Sequence, residues 1–254
     1  ALSQAIREDH VVGSEEGQQK QGQKQILKEN DAVVDDDGSG GENGTDEALV
    51  VLHALPISSA AAAETLARTL SGVSCGTTNS ALKFAPEDLD LSGDGTLLKA
   101  SPPLRDLNNL TNLWSLCASR SLSTISSMHL QCDRNLKLMH CGDLIRSLGG
   151  IDSLQTHLTS LVSAAIDRDL GVELIAELAC FAPASVAGIS DRKGCIRAGA
   201  DADLVVIDLE ASPDLTHVRS TNPDKQWAYA ATSNGRVKLT VMRGQCAYID
   251  DVDA

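Results

Sequence analysis

Six histidines and seven cysteines are the side chains best suited here to hold a metal or to act as base or nucleophile. The histidines are His10, His53, His129, His140, His157 and His217. The cysteines are Cys75, Cys117, Cys132, Cys141, Cys180, Cys195 and Cys246, with no Cys-x-x-Cys pair among them and no His-x-His pair in the chain. His140 and Cys141 are adjacent, but no third donor has ligand spacing, so a solvated loop is the simpler reading. His53 sits inside an apolar run, where a structural histidine is expected. Asp35-Asp36-Asp37-Gly38-Ser39-Gly40-Gly41-Glu42 is acidic, yet its spacing does not fit a calcium loop. The cysteines read as reduced, mostly buried thiols of a cytoplasmic protein.

The elements that would position such groups follow from composition and pattern. A chain of 254 residues suits one or two domains. Its net charge of −14 argues against a nucleic-acid or anionic-membrane surface. No apolar run is long enough for a membrane span. Aromatic residues make up only 2%, so the core must be aliphatic.

Residues 1–47 are polar and read as partly disordered, with a short helix possible over 23–28. The apolar run 48–55 predicts a buried strand. Ser58 and Ser59 cap a helix over 60–70, and 72–75 reads as the next strand. Strand, helix, strand predicts a parallel α/β layer. Further expectations are a strand over 96–99, a helix capped by Asp106 with Leu110, Leu113, Trp114 and Cys117 on one stripe, and a strand over 122–126. Helices are expected over 151–166 and 172–180. The tail switches to strands over 202–208 and 237–242, with 246–249 returning as a hairpin. Three regions result: 1–47, a βα region 48–190, and a small β region 191–254.

The tail Lys193-Gly194-Cys195-Ile196-Arg197-Ala198-Gly199-Ala200-Asp201-Ala202-Asp203-Leu204-Val205 resembles a signature of the amidohydrolase superfamily. Three segments sharpen the resemblance toward the allantoinases among the cyclic amidohydrolases. They are Leu98-Lys99-Ala100-Ser101-Pro102-Pro103-Leu104-Arg105-Asp106, then Asn135-Leu136-Lys137-Leu138-Met139, then Gly149-Gly150-Ile151-Asp152-Ser153-Leu154-Gln155. The resemblance spans roughly 48–250 and corresponds to the later half of such an enzyme. It implies part of a (β/α)8 barrel with a small β-sandwich segment.

The resemblance also implies a chemistry. Such enzymes hold two zinc ions through a His-x-His pair, a carboxylated lysine, two further histidines and an aspartate, and open a cyclic amide such as allantoin. Here the first three ligands would lie upstream of Ala1. The sixth-strand histidine position is Pro56, and the eighth-strand aspartate position is Met128. Neither supplies a hard donor or takes a proton near neutrality. A further family segment is altered at Thr78-Asn79-Ser80-Ala81-Leu82. What persists is the substrate-side loop, so Ser101, Pro102 and Arg105 are the candidate substrate contacts. Otherwise the proline pair only sets a turn and Arg105 pairs with Asp106. The expectation is an allantoinase-like hydrolase, inactive as this chain alone, with no catalytic residue and no cofactor of its own. Alternatives are a non-catalytic interaction subunit, or a dihydropyrimidine or dihydroorotate substrate class. Expected partners are a small cyclic amide if active, and a second copy or a complementing chain.

Overall fold

The computed structural model describes residues 52–69, 72–88, 94–132, 135–138, 140–212, 229 and 235–250. The expectations for 1–47, for the start of the first strand, and for His10 and His217 lie outside the described residues.

Three short strands form a parallel sheet in the order β1-β2-β3: β1 is Leu52–Ala54, β2 is Val73–Thr78 and β3 is Thr124–Ser126. His53 stands opposite Ser74 on one side, and Gly76 opposite Thr124 on the other. Strand alternation then sorts the side chains. Ala54, Cys75 and Ile125 turn to the helices and join the core. His53, Ser74, Gly76 and Thr124 share the opposite face. Among the described residues the parallel sheet has these three strands and does not close into a barrel.

Helix α1 (Ala60–Thr69) follows β1. Its N-terminus is closed from two directions. Ser59 Oγ accepts from the Ala62 N–H at 3.4 Å, and Asn109 Oδ1 accepts from the Ala60 N–H at 2.8 Å. Helix α2 (Asn79–Lys83) starts directly at the end of β2, with Thr78 Oγ1 accepting from the Ala81 N–H. Helix α3 (Leu107–Ala118) begins at Asp106, whose carboxylate accepts from the Asn109 N–H at 2.8 Å. Its buried residues are Leu110, Leu113, Trp114 and Cys117, the stripe expected from the 3.6-residue period. Trp114 satisfies its indole N–H on the Leu82 carbonyl at 2.8 Å, and Arg168 lies over its ring. Helix α4 (His157–Ile166) completes this layer through Leu161 and Ala165.

Three expectations are corrected. Residues 96–99 are not a strand: Asp94–Leu98 is a 3-10 turn. The Lys99 N–H bonds the Thr96 carbonyl, and the Lys99 carbonyl accepts from Gly150, so these groups are satisfied without a sheet neighbour. The helix expected from Ile151 begins only at His157, because Ile151 forms a parallel bridge with His129 instead. The helix over 172–180 continues to Val186 and changes pitch on the way. It runs as α5 (Val172–Ala176), a π-helical turn Glu177–Phe181, and α6 (Ala182–Val186). Pro183 has no N–H for the preceding turn, and the wider turn sits immediately ahead of it.

The tail forms an antiparallel sheet, β4 (Leu204–Asp208), β5 (Arg236–Met242) and β6 (Gln245–Ile249), with Arg243-Gly244 as the hairpin turn. The signature residues hold this unit together. Lys193 Nζ pairs with Asp201 at 2.7 Å and with Asp203, while Asp203 Oδ1 accepts from the Arg243 N–H at 2.8 Å. These contacts hold both aspartates below the usual carboxylate range.

Candidate functional site

Strands β2 and β3 end level, with Thr78 opposite Ser126, and β1 ends three residues earlier, with Ala54 opposite Cys75. In barrels chemistry collects beyond the carboxyl ends of the strands. Pro56 lies two residues past β1, half-buried. Met128 lies two residues past β3, exposed, with a backbone φ of 42°. That left-handed conformation is uncommon for a long side chain and easier for Asp or Asn. Pro56 offers no donor atom and Met128 only a thioether. The donor set therefore does not suit a hard divalent metal at these positions. Among the described residues no group of three or more His, Cys, Asp or Glu side chains is placed to hold a metal.

The histidines nearest these positions are engaged with the protein itself. His53 Nδ1 is 2.8 Å from Ser74 Oγ, and its Nε2 is 2.9 Å from Thr124 Oγ1. One imidazole thus spans all three strands, passing over Gly76 in the middle one. A Cβ at Gly76 would stand 2.1 Å from Thr124 Oγ1. Burial lowers the His53 pKa and favours the neutral ring. His129 Nδ1 accepts from the Ser153 N–H (3.1 Å) and the Leu154 N–H (3.2 Å). Asp152 Oδ1 stands 3.2 Å from the same nitrogen. Burial raises the Asp152 carboxyl pKa, and His129 opposes that rise. His140 and Cys141 are exposed on a loop, where Cys141 donates to the Leu138 carbonyl.

The three internal segments quoted above converge on one lysine. Lys137, from the middle segment, is buried and donates to the carbonyls of Lys99 at 3.3 Å and Gly150. The Gly150 N–H also bonds the Lys99 carbonyl at 2.8 Å, and Gly149 packs beside Ser101. Gly150 has a φ of 124°, and a Cβ there would meet the Leu130 side chain at 2.4 Å, so glycine is required twice over. Burial pushes the Lys137 amine down to about 8, the Lys99 charge lowering it further and Cys132 opposing.

The proposed substrate residues lie on this loop. Ser101 and Arg105 are exposed and Pro102 is half-buried. Asp106 spends its carboxylate on the α3 cap, and among the described residues it forms no ion pair with Arg105. Within residues 78–82, Asn79 is 1% exposed and donates to Ser160 Oγ at 2.7 Å. Lys137 and Asn109 were not singled out by chemistry at the sequence level. The signal was there in both cases, as a charged residue between two leucines and a polar residue near a capped helix start.

Residues 47–246 match the family model described as Amidohydrolase family. The chain belongs to the amidohydrolase family. It is 32% identical over 212 residues to an allantoinase of Desulfitobacterium hafniense, covering 80% of this chain and 44% of that one. It is 27% identical over 209 residues to a probable allantoinase 2 of Dictyostelium discoideum, covering 79% of this chain and 41% of that one. Among solved structures, an L-hydantoinase (dihydropyrimidinase) from Arthrobacter aurescens superposes with a TM-score of 0.69 at 24% identity, covering 80% of this chain and 46% of that one. A D-hydantoinase (dihydropyrimidinase) from Thermus sp. gives 0.68 at 22% identity, covering 78% and 44%. This amidohydrolase chain spans less than half the length of the relatives it matches. Family and neighbours give it a TIM-barrel-type α/β fold, of which the described residues show part.

Proposed function

We propose that this chain is an allantoinase-like cyclic amidohydrolase by descent whose own residues do not complete a hydrolytic centre. One observation carries the reading. Pro56 and Met128 stand just past the ends of β1 and β3, where the resemblance calls for a histidine ligand and an aspartate. No step through a metal is derived, because these side chains do not suit one. The substrate class is a cyclic amide, with allantoin favoured over a dihydropyrimidine or dihydroorotate by the Lys137 and Gly149-Gly150 segments. Ser101, Pro102 and Arg105 would be its contacts.

Without its own centre the chain acts through association, with a second copy or a complementing chain. Leu52 and Leu55 are exposed at β1, where an added strand would cover them. Among the described residues no helix is long and apolar enough to cross a membrane. The seven cysteines form no disulfide, which suits a reducing, cytoplasmic setting.

Metal analysis of the purified chain and an allantoin assay with zinc supplied test this reading together. The expected result is no stoichiometric zinc and no turnover. One tightly held zinc per chain, or turnover above the uncatalysed rate, overturns it.

A further inference from the structure

Two lysine side chains end on a cage of four main-chain carbonyls, two for each. Lys137 is 3% exposed and donates to the Lys99 and Gly150 carbonyls. The Lys99 side chain reaches on to the carbonyls of Ile145 (2.8 Å) and Ser147 (2.6 Å). Among the described residues neither ammonium has a carboxylate within ion-pair distance. The carbonyls come from separate stretches, so the cage ties the loop after Lys99 to residues 145–151. Lys137 also feels the Lys99 charge, and among the described residues main-chain dipoles and the Cys132 thiol, when ionised, are what balance its own. A neutral amine keeps two N–H donors, one for each carbonyl. Both carbonyls can thus be served without the charge, and among the described residues no carboxylate holds the charge in place.

We propose that Lys137 is a proton-controlled latch, which in its neutral form holds residues 99–105 against 145–151 and on taking up a proton loosens that hold. The groups that face it are the Lys99 ammonium, which disfavours its proton, and the Cys132 thiol, which favours it when ionised. Burial is the largest influence and lowers the amine to about 8. A released lysine in water regains its ordinary value, so release takes up a proton. The latch therefore tightens as pH rises between those two values, and the opening equilibrium falls about tenfold from pH 7 to pH 9. The latch stands on local geometry; only its bearing on substrate rests on the amidohydrolase reading.

Short-pulse hydrogen exchange on the full chain, without substrate, tests it. Protection factors corrected for intrinsic exchange are read at pH 7 and pH 9 for peptides covering 99–105 and 145–151. Peptides from α3 report global stability in the same runs. Wild type should gain about tenfold in the latch peptides and not in α3. Lys137→Met should lose the pH dependence. Lys137→Arg keeps its charge and should show weak protection at both pH values, which decides the matter if the methionine variant does not fold. Cys132→Ser should keep the gain. Equal protection at both pH values in wild type overturns the latch. So does a gain that survives Lys137→Met or Lys137→Arg, or one that vanishes with Cys132→Ser. Zinc content and allantoin turnover do not enter this measurement, so failure here is separate from failure of the functional reading.

Discussion

His53 Nε2 and Thr124 Oγ1 are hydrogen-bonded at 2.9 Å although their strands are not neighbours. The bond crosses β2 where Gly76 leaves room. Gly76→Ala puts a methyl group 2.1 Å from the threonine hydroxyl, on backbone held on both sides. The expected cost is about 1–3 kcal/mol, by analogy with overpacked cores. Denaturant unfolding measures it, and a Gly76→Ala chain as stable as wild type would mean that the sheet opens there. Thr124→Val should cost less, because it removes one hydrogen bond without forcing a strand apart.

Acid should unfold this protein partly through His157. Burial holds its imidazole down to about 4, whereas in the unfolded chain it takes up a proton near its ordinary value. The folded state thus binds fewer protons across that window, and its stability falls as pH drops through it. The contribution is present above the unfolded value and lost on acidification, on the order of 3 kcal/mol at pH 4. His53, also lowered by burial, acts in the same direction. Urea midpoints at pH 7 and pH 4.5 should differ in wild type, and the difference should shrink in His157→Gln. An unchanged difference would place the acid sensitivity elsewhere.

Two substitutions on α3 separate burial from position. Leu113 is fully buried, and Leu107, on the same helix, is half exposed. Leu113→Ala should cost about 2–5 kcal/mol. Leu107→Ala should stay within about 0.5 kcal/mol, as expected for an exposed site. Comparable losses at both positions would mean that the outer face of α3 is covered.

Asn109 is a joint between two helices. Its side chain accepts from the Ala60 N–H and donates to the Ser58 carbonyl at 3.0 Å, while its own N–H is held by Asp106. Asp106→Ala removes a cap, at about 0.5–2 kcal/mol. Asn109→Ala orphans a donor and an acceptor and should cost about 1–3 kcal/mol. A double-mutant cycle should show coupling between the two, since both act on one junction. Strict additivity would contradict that.

The periodic parts of this fold were legible in the sequence for a physical reason. The α3 stripe and the Asp106 cap depend on local geometry, and the structure places Leu110, Leu113, Trp114 and Cys117 as their spacing requires. The 96–99 stretch was misread because strand pattern alone does not say whether a partner strand exists. The Lys99 carbonyl finds its partners on the Lys137 side chain, 38 residues away, and on the Gly150 N–H. Pro183 was visible, yet the pitch change it accompanies depends on how the whole 172–186 run packs. At the candidate site, Pro56 and Met128 follow from motif position. The Lys137 cage needed coordinates, since nothing along the chain marks a backbone carbonyl as the partner of an ammonium.

In the clasp that ties Lys193, Asp201 and Asp203 to the Arg243 turn, the first three are signature residues. Their work is mechanical: they pin a hairpin to the segment ahead of it. A fingerprint written in such residues reports that a β unit is assembled and is silent about turnover. A search keyed to it therefore reads the β unit and not the strand ends, where the proposal places positions 56 and 128.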